Sequence, residues 1–198
     1  MGNRGERMFD ARKYQEQVIF EAVKSAGGEE AAAKVVYGEH GEASSEDNRA
    51  WVKGAMARLE ESFDRDTVKR IRLDCQCGYG MDDRVEYVKD LMASASSMEE
   101  FAGQEKAKDA GLSCVDGQLY LRFPFCACPM LAEVDALETD SWCLCTTGYS
   151  KALFEKAFGC GVDVELLKSV KMGDDECLMK ILSRGEVWKQ GTGCSVDP

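Results

Sequence analysis

The apolar residues change period near the middle of the chain, and that change limits the folds open to it. Over the first hundred positions they recur at helical spacing. Tyr14, Val18, Ile19, Ala22 and Val23 follow Asp10, which has the side chain of a helix cap. Trp51, Val52, Ala55, Met56, Leu59 and Phe63 form a second stripe, with Ser44 and Ser45 as its caps. Further helices are predicted over 29–37, 67–73 and 82–94, and Ser97-Met98-Glu99-Glu100 has the form of a capping box. Beyond residue 111 the pattern alternates. Segments 112–115 and 118–125 flank Asp116-Gly117, a pair suited to the positive φ angles of a type I′ hairpin turn. After a helix predicted over 148–158, Val162, Val164 and Leu166 alternate, as do Cys177, Met179 and Ile181 across the turn at 171–175. The reading is an α+β fold: an antiparallel sheet from the second half packs against helices, beside a helical N-terminal half. It is one domain, with a mainly helical part over 1–110, a sheet-and-helix part over 111–182 and a tail over 183–198.

Charge and composition exclude several functions. Acidic residues number 36 and basic residues 25, so the net charge is −11. Phosphate-rich surfaces would be repelled, which argues against nucleic acid and against anionic membranes. No apolar run approaches the roughly 20 residues of a membrane span. The first residues are polar and do not read as a signal peptide, so a cytoplasmic location is expected. The basic residues from Arg65 to Arg72 are read as a solvated helix face. The single histidine, His40, lies in a glycine-flanked loop, which rules out zinc sites built on two or three histidines. The apolar stripes at residues 10–63 leave room for a homodimer.

Sulfur carries the chemistry. Three Cys-x-Cys pairs stand at Cys75/Cys77, Cys126/Cys128 and Cys143/Cys145, among ten cysteines in all. Each pair sits beside a predicted turn or helix start. In a reducing compartment such thiols are metal ligands, redox groups or small core residues, not disulfides.

The order of residues in the second half resembles a known domain. Cys143-Leu144-Cys145-Thr146-Thr147-Gly148-Tyr149 is followed by Phe154-Glu155, by the strand from Val164, by Gly173-Asp174 and by Cys177. This is similar to the C-terminal half of the bacteriochlorophyll 4-vinyl-reductase-like domain, a superfamily near proteins related to aminothiazoline-carboxylate hydrolase. Within it, the chain resembles uncharacterised prokaryotic proteins with a Cys-x-Cys-Pro loop. The resemblance covers about a fifth of the chain, from Trp142 to Ile181 with Phe125-Cys126-Ala127-Cys128-Pro129 added. It implies a mixed α/β fold that binds a small molecule, and fold alone does not name the ligand. Ser169 stands where those domains often carry cysteine.

Three readings of the sulfur follow. In the first, Cys126, Cys128, Cys143 and Cys145 supply four thiolates for zinc or iron, with Cys75 and Cys77 as further ligands. In the second, Cys145 is a nucleophile or redox thiol whose thiolate is favoured by a helix start, in an enzyme acting on a small molecule. Arg122 and Tyr149 are the pocket residues expected to accompany it. In the third, the thiols are structural, as expected for Cys114, Cys160 and Cys177. The expected partners are a small molecule or a metal ion, and enzyme and binding module both stay open.

Overall fold

A computed structural model describes residues 10–45, 47–76, 78 and 80–188. Cys77 and Cys194 lie outside the described residues. The fold is α+β. Helices α1 (Ala11–Gly27), α2 (Glu29–Tyr37), α3 (Asn48–Ser62), α4 (Arg65–Asp74), α5 (Met81–Ala93), α6 (Met98–Gly103) and α7 (Glu105–Asp109) precede strands β1 (Leu112–Val115) and β2 (Gln118–Phe123). Helix α8 (Leu144–Phe158) and strands β3 (Val162–Lys168) and β4 (Cys177–Ser183) follow.

The caps come from aspartates more than from the predicted serines. Asp10 accepts from the Lys13 amide as expected. Asp47, not Ser44 or Ser45, caps α3 through the Ala50 amide at 2.8 Å, because a 3-10 turn occupies Glu42–Ser45. Asp64 takes the amides of Asp66 and Thr67 and starts α4 two residues before the predicted bound. Carboxylates at these positions accept from orphan amides and complement the helix dipole. Ser97 caps α6, while Glu100 reaches back to Ser96 instead of closing the box on Ser97.

The sheet is antiparallel throughout, with order β1-β2-β4-β3. Asp116 and Gly117 have φ of 50° and 75°, both positive, as the type I′ turn between β1 and β2 requires. Register sets Leu121 opposite Met179 and Phe123 opposite Cys177. Pairing ends at Phe123, because Pro124 has no amide to donate. The continuation of β2 through Cys126 and Cys128 is therefore not formed.

Two clusters of buried residues make the core. One gathers the helical half around Ile19, Val35, Trp51 and Leu59, and includes Met130, Leu131 and Trp142 from the segment between β2 and α8. The other joins α5, α6, α8 and the sheet through Val85, Phe101, Leu119, Phe154 and Ile181. Leu166 packs against both. Helix α8 touches α4, α5 and β3 and so links the two. Its contact with α4 is closest at Gly148, where an added Cβ would stand 1.9 Å from the Leu73 carbonyl oxygen. Among the described residues no helix is long and apolar enough to cross a membrane.

Candidate functional site

All eight described cysteines are free thiols. Four of them surround one enclosed space of about 30 Å³: Cys126 and Cys128 from the segment after β2, Cys143 at the cap of α8, and Cys177 at the start of β4. Ser169, read from the resemblance as the place of a cysteine, lines the same space, with its Oγ 3.3 Å from Cys143 Sγ. Cys177, expected as core filling, joins the group because β4 pairs with β2 and Cys177 opposes Phe123, three residues before Cys126. That pairing joins residues more than fifty positions apart, and no local pattern announces it.

Burial acts on two of these thiols, Cys143 and Cys126. Desolvation pushes Cys143 up to about 11, against the pull of the Ser169 hydroxyl and with a further rise from Cys126, Cys177 and Cys128. Burial raises Cys126 as well, opposed by the Cys128 amide and by Lys171. Both rises favour the protonated thiol at Cys143 and at Cys126.

Cys145 takes a different position from the one predicted. Helix α8 begins at Leu144, four residues before the predicted bound, so Cys145 sits inside the first turn. It faces away from the small space and toward Arg72 and a larger cavity. Burial pushes Cys145 up to about 12; the Arg72 guanidinium pulls the other way, and Cys128, Cys75 and Cys143 add to the rise. The helix start does not prevail. A helix dipole is worth about 0.3–1 kcal/mol, whereas desolvating an ion costs several kcal/mol. Cys75 is fully buried at the end of α4, donates toward the Val18 carbonyl at 3.7 Å, and is raised by burial against the same arginine.

Arg72 is the residue that sequence reasoning misplaced. It is 0% exposed, not part of a solvated face. Its Nε donates to the Ser141 carbonyl and its Nη2 to the Trp142 carbonyl, each at 3.2 Å, and the guanidinium lies 4.7 Å from the Trp142 ring centroid. Its Nη1 is buried without a hydrogen-bond partner, and no carboxylate pairs with it among the described residues. Buried cations without counter-charge are unfavourable, and this one acts on the thiols of Cys75 and Cys145.

The larger cavity measures about 650 Å³ and is mostly apolar. Leu112, Leu121 and Phe123 from the sheet and Leu153 and Phe154 from α8 form its body. Cys128 and Cys145 stand in its wall, so Cys128 belongs to both spaces. Thr146 borders both as well. Tyr149 lines it. Arg122 does not: it is on the opposite face of β2, its side chain 61% exposed and paired with Glu176 at 2.8 Å. The inward residues of β2 are Leu119, Leu121 and Phe123, and strand alternation sends Arg122 the other way. Gln15 also lines the cavity at 4% exposure, its Nε2 given to the Cys75 carbonyl and its Oε1 without a partner.

Residues 8–188 match the model of a family of unknown function, DUF6144. The chain belongs to this family. No curated protein and no solved structure matches it significantly. The family therefore carries no activity over to the site, and its chemistry rests on the geometry above. Among the described residues no group of three or more His, Cys, Asp or Glu side chains is arranged to hold a metal ion. The thiols border a common space without standing at ligating positions around one point. His40 is exposed in a turn, its amide donating to Glu42 at 2.8 Å, and takes no part.

Proposed function

We propose that this DUF6144 protein binds a small molecule in the apolar cavity, with the thiols of Cys128 and Cys145 against the ligand. The observation that supports this is the coincidence of the two features: a cavity of about 650 Å³ has free thiols in its wall. Ligand cavities of this kind are mostly apolar, of roughly 300–1,000 Å³, with a few polar groups that fix orientation. A small-molecule-binding domain is also what the 4-vinyl-reductase-like resemblance implies. The raised pKa of Cys145 speaks against a ready nucleophile. The test is a titration of the purified chain with the neutral fluorophore N-phenyl-1-naphthylamine. One saturable site is expected, lost in Leu153→Trp, which fills the cavity. Bound fluorophore should slow alkylation of Cys128 and Cys145. Failure to saturate, or full binding by Leu153→Trp, would overturn the reading.

A second reading is favoured by the small space ringed by Cys126, Cys128, Cys143 and Cys177. A soft ion, zinc or iron, would suit four thiolates there. Cys177 then replaces Cys145 in the set predicted from sequence, and Cys75 lies beside Arg72 instead. The ion would have to draw the sulfurs together, since their present arrangement is not a ligand set. Lys171, which already acts on Cys126, would offset part of the charge of such a complex. The check is metal analysis after purification without oxygen. Stoichiometric zinc or iron, reduced by both Cys143→Ser and Cys177→Ser, supports this reading, and a chain that takes up neither ion defeats it.

A further inference from the structure

Resting on the cavity reading, we infer that the ligand is an apolar carboxylic acid, its body in the cavity and its carboxylate on Arg84. Among the described residues lining the cavity, Arg84 alone carries a charge. In a chain with a net charge of −11, the one charged group on this wall is a cation. It stands on α5, exposed, with its guanidinium 5.3 Å from the centroid of the Tyr149 ring. Asp82 and Asp83 are its neighbours on the same helix, yet neither forms an ion pair with it, and no other carboxylate does among the described residues. The guanidinium is therefore held by the aromatic face with its charge unneutralised. Exposed Ala127 and Pro129 border the cavity with it, whereas Leu121 and Phe154 are buried. An entering molecule meets the cation outside and apolar surface within.

The number of charges selects the class of anion. A single guanidinium matches a monoanion, and a carboxylate accepts two parallel N–H bonds from it. A phosphate monoester carries nearly two charges at neutral pH and would leave one uncompensated beside Asp82 and Asp83. In the same wall, Gln15 keeps a buried carbonyl oxygen without a donor. A hydroxyl or amide N–H on the body of the acid would satisfy it, and burying that oxygen unpaired is unfavourable.

The experiment uses the whole chain with N-phenyl-1-naphthylamine bound, and compares displacement by decanoate with displacement by decanol. The two have the same chain length, and decanol is the more apolar, so a hydrophobic preference alone would favour decanol. Decanoate is expected to displace the fluorophore at about tenfold lower concentration or better, the scale of one charge-assisted hydrogen-bonded pair. Arg84→Gln should erase that advantage and Arg84→Lys should keep part of it, since the lysine retains charge without the fork. Equal displacement by the two competitors, or an advantage that survives Arg84→Gln, overturns the inference while the cavity reading stands. If the fluorophore does not bind, or still binds fully in Leu153→Trp, the cavity reading itself has failed.

Discussion

Cys145 carries two opposed influences, a helix start that favours its thiolate and a buried site that disfavours it. Burial wins, and the consequence is a pH dependence of known sign. Folding raises the thiol from its ordinary 9.0 to about 12. As pH climbs past 9.0, the unfolded chain releases this proton while the native chain still holds it. The native state then binds more protons, so its stability falls as pH rises through that window. Cys143, raised to about 11, acts in the same direction. Urea midpoints measured without oxygen from about pH 8 to about pH 11 should therefore decline, and more shallowly in Cys145→Ala. A variant with the same slope as the parent would show that Cys145 is not held protonated. Legible in the sequence were the Cys-x-Cys pairs, and Tyr149 beside the third pair as a pocket candidate. Arg72 was not, because its helical spacing is shared with the solvated Lys69 and Arg70, and only the packing of α8 on α4 tells them apart.

Where elements meet, Gly148 decides how near α8 comes to α4. A methyl group there would meet the Leu73 backbone at 1.9 Å, and backbone cannot rotate aside as a side chain can. Gly148→Ala should destabilise by about 1–3 kcal/mol or more through overpacking. Gly103, at the end of α6, has nothing within 4 Å of an added Cβ and no positive φ. Gly103→Ala should be neutral or stabilising by up to about 1 kcal/mol, since it restricts only the unfolded chain. Denaturant midpoints of the two variants check the contrast, and similar losses in both would mean that α4 and α8 are not in tight contact. Moving α8 outward would also separate Cys145 from Cys75 and Arg72, so Cys145 should alkylate faster in Gly148→Ala. Elements themselves were largely visible from sequence, since the helical stripes and the Asp116-Gly117 turn are local. The segment from Pro124 to Cys143 was not, because it has no period. Its Met130, Leu131 and Val134 are buried against the helical half, and that burial depends on distant residues.

At the scale of the molecule, the cavity draws its wall from both buried clusters: Met130 belongs to the helical half, and Leu112, Leu121 and Phe154 to the sheet half. An empty apolar space there forgoes van der Waals contacts that each half would otherwise make. A molecule seated in it touches both halves at once and is lost when they unfold. Binding to the native state alone stabilises by mass action, about 2.7 kcal/mol at a hundred times Kd. For a chain of this length each kcal/mol moves the midpoint by about 2–4 °C, so decanoate at that level should raise Tm by roughly 5–10 °C. Leu153→Trp should show no such rise, because the indole occupies the space. Arg84→Gln should show a smaller one at the same decanoate concentration. A thermal scan of the three chains separates the cases. A rise of equal size in all three would place decanoate on the surface instead, where neither the cavity nor Arg84 governs it.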